Sequence, residues 1–277
     1  EWYDENSKLR LAIGSSTDND STGKVTIFEY DISYQIFGQL GQTLVGDALG
    51  DQFGYKVAMS HDGATLAISA PFNDTDATNA GSVYYFNRTS DDSSLDPYEF
   101  VQRIASPDGK TNELFGANVA VNPTGTGISI FSQGGQNRVT TTFDKFTRLN
   151  DSSLSDKDTE TTFDAGVTNV VDENFGSGTV YTYTKLNKKF VFGQKINSET
   201  LEEYEAFGQG MAYTGNSLII GAPLNDTGTP KVSTGGLFVY QKQGTGGWNR
   251  IDRQEDPVDV NLIKKAFTYN QETDTVK

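Results

Sequence analysis

Residues 53–71 read Phe-Gly-Tyr-Lys-Val-Ala-Met-Ser-His-Asp-Gly-Ala-Thr-Leu-Ala-Ile-Ser-Ala-Pro, and this stretch decides the fold. Its two apolar runs, around Val57-Ala58 and Leu66-Ala67-Ile68, flank His61-Asp62-Gly63. Asp-Gly between two short alternating runs predicts a hairpin rather than a helix. The stretch recurs. Phe115-Gly116 leads to Val119-Ala120 and Ile128-Ser129-Ile130, and Phe207-Gly208 leads to Met211-Ala212 and Leu218-Ile219-Ile220. Turn signals again separate the runs, at Pro123-Thr124-Gly125-Thr126 and Thr214-Gly215-Asn216. A further second-strand run, Leu11-Ala12-Ile13, has no Phe-Gly before it.

Two more elements follow each copy. The first is a glycine, then an aliphatic residue two positions on and an aromatic three further: Gly23/Val25/Phe28, Gly81/Val83/Phe86, Gly178/Val180/Tyr183 and Gly235/Leu237/Tyr240. The second is looser, at Phe37–Leu40, Phe100–Ile104, Phe192–Ile196 and Trp248–Ile251. Each unit is therefore four short strands in series, at a period of roughly 60 residues, which is the pattern of a propeller blade. The third unit is lengthened by an insertion at about positions 137–172. The expectation is an all-β chain, a β-propeller of four-stranded antiparallel blades. About four repeats fill residues 1–256, as part of a larger ring, and 257–277 start a following hairpin or linker. The absent first strand of the first unit is expected to come from elsewhere or to follow further blades, so the chain reads as a fragment.

Phe-Gly opening one strand and Gly221-Ala222-Pro223, or Ser69-Ala70-Pro71, closing the next resembles the FG-GAP repeat. The third unit keeps Phe-Gly but has Phe131-Ser132-Gln133 in the closing place. The resemblance implies a propeller like that of integrin α subunits and many surface proteins, and a platform for binding or scaffolding. Repeats of this kind often carry a calcium loop between their first two strands. Calcium takes about six to eight oxygen ligands, and the turn at Asp62 has too few, so no metal site is carried over and no cofactor is expected. The segment Leu262–Asn270 with Thr273–Lys277 is similar to a piece of large virion structural proteins of marine tailed phages.

Composition narrows the function. With 37 acidic against 22 basic residues the net charge is −15, which argues against nucleic-acid partners. No run approaches the roughly 18–20 apolar residues of a membrane helix. The chain has no cysteine and one histidine, His61, in a tight turn. This excludes disulfides, thiolate chemistry and a multi-histidine metal centre.

Candidate binding residues lie in the loops between second and third strands. Each carries Asn-Asp followed by Ser or Thr: Asn19-Asp20-Ser21, Asn73-Asp74-Thr75, Asn150-Asp151-Ser152 and Asn225-Asp226-Thr227, with Asp18 and Asp76 alongside. One reading is a ring of oxygen donors for a cation or a sugar; the other is a set of Asx turns. Asn19, Asn73, Asn150 and Asn225, with Asn87, also fit the N-glycosylation pattern if the source is eukaryotic. The insertion, acidic with Phe143, Phe146 and Phe163, reads as either a partner-contact flap or a decorated loop.

The expected function is non-catalytic: adhesion, recognition or structural connection within a surface-exposed protein or a virion appendage. The partners would be a protein or carbohydrate ligand and other chains of a larger assembly. The alternative is a glycoside hydrolase using loop carboxylates. Recurrence of the acids at equivalent loop positions favours turn chemistry over one unique acid/base pair.

Overall fold

The computed structural model describes residues 9–89, 97–134, 138–142, 168–172, 177–198, 206–224, 226–227, 232–233, 235–244 and 247–254. Four four-stranded sheets follow one another along the chain, all paired antiparallel.

Blade 1 comprises β1 (Arg10–Ser15), β2 (Lys24–Asp31), β3 (Ile36–Gln39) and the short β4 (Leu44–Val45), which pairs with the start of β2. Blade 2 is β5 (Val57–Met59), β6 (Thr65–Ala70), β7 (Ser82–Arg88) and β8 (Tyr98–Ala105), in that spatial order. Blade 3 begins with β9 (Asn118–Val121) and β10 (Gly127–Ser132). A separate two-stranded ribbon, β11 (Arg138–Thr142) with β12 (Thr168–Asp172), then interrupts it before β13 (Thr179–Leu186) and β14 (Lys189–Asn197) complete the sheet. Blade 4 repeats this plan on a smaller scale. β15 (Gly210–Thr214) and β16 (Ser217–Ala222) precede a ribbon of β17 (Asp226–Thr227) with β18 (Val232–Ser233), and β19 (Gly236–Lys242) and β20 (Trp248–Gln254) close it. The chain is a β-propeller of such blades, and the strands fall where the repeated runs predict them. The hairpin expected within 257–277 lies outside the described residues.

Local chemistry explains the hairpins. In blade 2, Asp62 Oδ1 accepts from the Ser60 hydroxyl (2.6 Å) and the Ala64 amide (2.9 Å), closing an Asx turn. In blade 3, Asn122 Oδ1 does the same work, accepting from the Thr126 and Gly127 amides, both at 2.9 Å. The third strands of blades 2, 3 and 4 share an irregularity: the register slips after Tyr85, Thr182 and Val239. The fourth strand carries the extra residue, a bulge that sharpens local twist.

The core lies between blades rather than within one. Val25, Ile27 and Phe53 cluster with Leu66, Ile68, Tyr84 and Phe86 between blades 1 and 2. Val83, Tyr85, Phe115, Ile128 and Ile130 do so between blades 2 and 3, and Val180, Phe207, Leu218 and Phe238 between blades 3 and 4. The Phe of each Phe-Gly pair is buried there. It makes edge-on contacts with two third-strand aromatics of its own blade. Phe53 meets Tyr84 and Phe86, Phe115 meets Tyr181 and Tyr183, and Phe207 meets Phe238 and Tyr240. Such pairs favour tilted rings, because the electron-poor edge of one meets the electron-rich face of the other.

Candidate functional site

Hydrogen bonds place the loops between second and third strands beside the links that lead to the next blade. Ser21 and Thr22 carbonyls accept from the Gln52 and Phe53 amides (2.8 and 3.1 Å). Asn79 and Ala80 carbonyls accept from Leu114 and Phe115 (3.0 and 2.9 Å), and Ser177 accepts from Phe207 (2.8 Å). This loop face holds Asp18, Asn19, Asp20, Asn73, Asp74 and Asp76 of the sequence-predicted binding residues, but they are not equivalent to one another.

In blade 1, Asn19, Asp20 and Ser21 all adopt positive φ, at 49°, 53° and 62°. Asn and Asp tolerate this left-handed region better than most side chains. Asn19 and Asp20 are exposed, and Asp18 pairs with Lys24 at 3.1 Å. In blade 2, Asn73 is only 4% exposed. Its Nδ2 donates to Asp51 Oδ2 (2.5 Å), while its Oδ1 accepts from the Ser82 hydroxyl (2.9 Å) and, as an Asx turn, from the Thr75 amide (3.3 Å). A side chain so enclosed is a structural cross-brace, not a surface donor for ligand or glycan. Asp74 Oδ1 accepts from the Asn79 amide at 2.7 Å. Asp76 forms a bidentate pair with Arg103 (2.7 and 3.2 Å), whose guanidinium hydrogen bond and charge hold the Asp76 carboxyl below the usual range. Asn87 lies elsewhere, accepting on Oδ1 from the Tyr85 hydroxyl (2.9 Å) and Lys185 Nζ (3.3 Å). Asn150, Asp151 and Asn225 lie outside the described residues. Asp226 sits in β17, opposite Ser233. Among the described residues, no three His, Asp or Glu side chains are grouped to hold one metal ion.

The most repeated geometry on this face is backbone. The glycine that opens the third strand has positive φ in all four blades, and in blades 1, 2 and 3 a Cβ there would collide with the next blade's Phe. The distances to that Phe's carbonyl oxygen would be 2.0 Å at Gly23, 2.2 Å at Gly81 and 2.4 Å at Gly178. The model of the FG-GAP repeat family matches residues 46–86, which span the Phe53-Gly54 pair, β5, β6 and most of β7. Residues 46–86 are an FG-GAP repeat. The FG-GAP geometry recurs around Phe115 and Phe207, with each Phe amide bonded back to the preceding blade. Each following glycine amide is bonded to its own second strand: Gly54 to Ser69, Gly116 to Phe131 and Gly208 to Gly221 (3.0, 3.0 and 2.9 Å).

Among solved structures, the chain is similar to the periplasmic gluconolactonase PpgL of Pseudomonas aeruginosa. The identity is 14%, the TM-score 0.37, and the match covers 89% of this chain and 69% of that one. No curated protein matches the chain. Neither comparison bears on the likeness of the C-terminal segment to virion proteins.

The FG-GAP junctions contain a feature that the sequence reading missed. An acid stands two residues before each Phe, as Asp51, Glu113 and Glu205. Glu113 is 1% exposed, yet its carboxylate is fully engaged. Oε1 accepts from the hydroxyls of Ser106 (2.6 Å), Tyr181 (2.9 Å) and Ser132 (3.3 Å), and Oε2 from the Lys110 amide (3.0 Å). Burial, with the charges of Glu113 and Asp108 nearby, pushes the Tyr181 hydroxyl far up and keeps it a donor. Asp51 is the blade-2 counterpart; burial raises its carboxyl, against the Asn73 hydrogen bond and with Asp74 and Asp47 adding to the rise. Glu205 lies outside the described residues. The signal was the spacing acid-x-Phe-Gly, present three times.

Proposed function

We propose that the chain is a non-catalytic recognition module of a larger surface-exposed assembly, meeting a protein or carbohydrate ligand with its loop face. One observation carries this reading. The second-to-third-strand loops of blades 3 and 4 both rise into β-ribbons, β11–β12 and β17–β18, from a scaffold whose own loops are tied down. Rigid blades with extended loops on one face are the usual setting for recognition. The acids on and beside the blade-2 loop support it further: Asp51, in the link that enters the blade, is held by Asn73, and Asp74 and Asp76 of the loop by the Asn79 amide and Arg103, a structural use rather than an acid/base one.

The test removes residues 143–167, joining β11 to β12 by a two-glycine turn. Wild type and variant are then compared on an oligosaccharide array and a panel of purified surface proteins. The reading expects a bound species whose signal falls on deletion. Turnover of glycoside substrates by the wild type, lost on substituting loop carboxylates, would replace it with the hydrolase reading.

A further inference from the structure

The two ends of the strands differ in charge. The loop face and its links expose Asp20, Asp47 and Asp74. The hairpins joining first to second and third to fourth strands lie at the other end, and in blades 3 and 4 they hold no acid. Residues 121–127, 184–191, 213–218 and 241–249 contain Lys185, Lys188, Lys189 and Lys242 but no Asp or Glu. The matching connections of blades 1 and 2 carry Asp31, Asp62, Asp91, Asp92 and Asp96. Packing gathers the lysines. Lys242 of blade 4 reaches back to blade 3 and donates to the Thr184 hydroxyl (3.0 Å), next to Lys185 in β13. Lys185 Nζ donates to Thr65 Oγ1 (3.4 Å) and Asn87 Oδ1 (3.3 Å) and lies 4.9 Å from the centre of the Tyr85 ring. Neutral groups thus fix both cations without cancelling their charge. Lys188 and Lys189 are exposed at the tip of the β13–β14 hairpin, where Leu186 pairs with Lys189. The two central residues, Asn187 and Lys188, have φ of 47° and 68°. Such turns favour glycine in the second central place, so Lys188 holds a cation at the tip at the cost of backbone strain.

The geometry points to the hairpin end of blades 3 and 4 as a docking surface for a carboxylated polysaccharide, a chain with uronic-acid groups at intervals. Lys24, Lys110 and Lys195 are each met by an aspartate oxygen, whereas among the described residues none of the four hairpin lysines pairs with a carboxylate. The ligand supplies the same group from outside. Lysine suits it, because a compact ammonium meets separate carboxylates singly and needs no bidentate fork. The remaining hairpin tips expose Thr124, Thr126, Thr214 and Asn216, whose hydroxyls and amide exchange hydrogen bonds with sugar hydroxyls. In a chain of net charge −15 this is a local reversal of sign, and it sets where an anionic chain can approach. The inference goes beyond the loop-face reading and concerns the opposite end of the blades.

The probe is fluorescein-labelled oligogalacturonate, titrated with the full 277-residue chain by anisotropy, with labelled dextran sulfate, neutral dextran and polyglutamate as comparators. Saturable binding of oligogalacturonate is expected, weaker by about tenfold when NaCl rises from about 50 to about 200 mM. It should weaken at least about fivefold in the double variant Lys188→Gln/Lys189→Gln. The charge-matched variant Lys24→Gln/Lys110→Gln removes two cations from the loop face and its links and should bind like wild type. Lys188 and Lys189 are exposed, so their variant should keep the wild-type melting curve; if it does not, the comparators on wild type still decide. Deleting 143–167 should leave binding unchanged, which separates this surface from the loop face. No saturable binding, or an equal loss in both double variants, overturns the inference. So does dextran sulfate or polyglutamate bound as tightly as oligogalacturonate, since the surface would then read charge alone.

Discussion

A Cβ placed on Gly81 would stand 2.2 Å from the carbonyl oxygen of Phe115 and 2.7 Å from its nitrogen, although the two residues belong to different blades. Backbone meets backbone there, so nothing flexible is available to move aside. The φ of Gly81, 84°, adds a conformation that L side chains rarely take. Gly81→Ala is therefore expected to cost roughly 2–4 kcal/mol in urea unfolding, from clash and backbone strain together. Gly38→Ala is the control. A Cβ at Gly38 meets nothing within 4 Å, and its variant should unfold like wild type.

Phe115 is fully buried at the centre of the blade 2–3 core. Phe115→Ala should cost about 3–5 kcal/mol, the range for emptying a buried aromatic site. Phe100, 56% exposed, should tolerate the same change at a fraction of that cost. The pair of denaturation curves checks whether the repeat's Phe or aromatic content in general holds the blades.

Glu113 organises three hydroxyls and an amide without a cation in the set. Glu113→Ala would leave the Tyr181 hydroxyl and the Lys110 amide short of an acceptor, at about 1–3 kcal/mol for each buried group that stays unpaired. Glu113→Gln keeps an acceptor and should recover part of that loss. Equal melting of both variants would mean that shape, not hydrogen bonding, matters there.

Two neighbouring loop acids should respond to pH with opposite sign. The Asp76 carboxyl is depressed by Arg103, so its contribution is present above the unfolded value of 3.8 and fades as pH falls through the lower folded value. The pair is partly exposed, which limits the effect to about 1 kcal/mol or less. The Asp51 carboxyl is raised by burial, so its charged form weighs against the fold above the folded value, and protonation on acidification relieves it. Melts of Asp76→Asn and Asp51→Asn between pH 3 and pH 7 should thus depart from wild type in opposite directions at pH 7. Asp76→Asn should lose stability at pH 7 and converge on wild type in acid. Asp51→Asn should be no worse at pH 7 and lose its advantage in acid.

Much of the fold was legible because each strand carries its own periodic run and each turn its own Asp, Asn or Gly. The second strands at Leu66 and Leu218 and the third strands after Gly81 and Gly235 could be read directly. The strand β4 could not, since Leu44–Val45 is too short to show a period. Nor could the shared bulge, which depends on how β8, β14 and β20 meet their partners. The loop site was legible only as a list of residues. Asn19 and Asn73 open identical Asn-Asp pairs, yet one is exposed in a left-handed turn and the other is buried against Asp51. That difference is set by packing against Asp51, in the link that enters blade 2, and against Ser82 of β7, which no local pattern records. The acid before each Phe-Gly was readable, and the burial of Asp51 and Glu113 follows from the Phe each precedes.

The most direct test of the blade-locking account is amide hydrogen exchange at Phe53, Phe115 and Phe207. Each of these amides donates across a blade junction, to the carbonyls of Thr22, Ala80 and Ser177. The expected result is that all three exchange as slowly as core amides of β6 and β10, and that Gly81→Ala releases Phe115 first. Exchange at the rate of the exposed loop amides, or release of all three without order, would contradict the account.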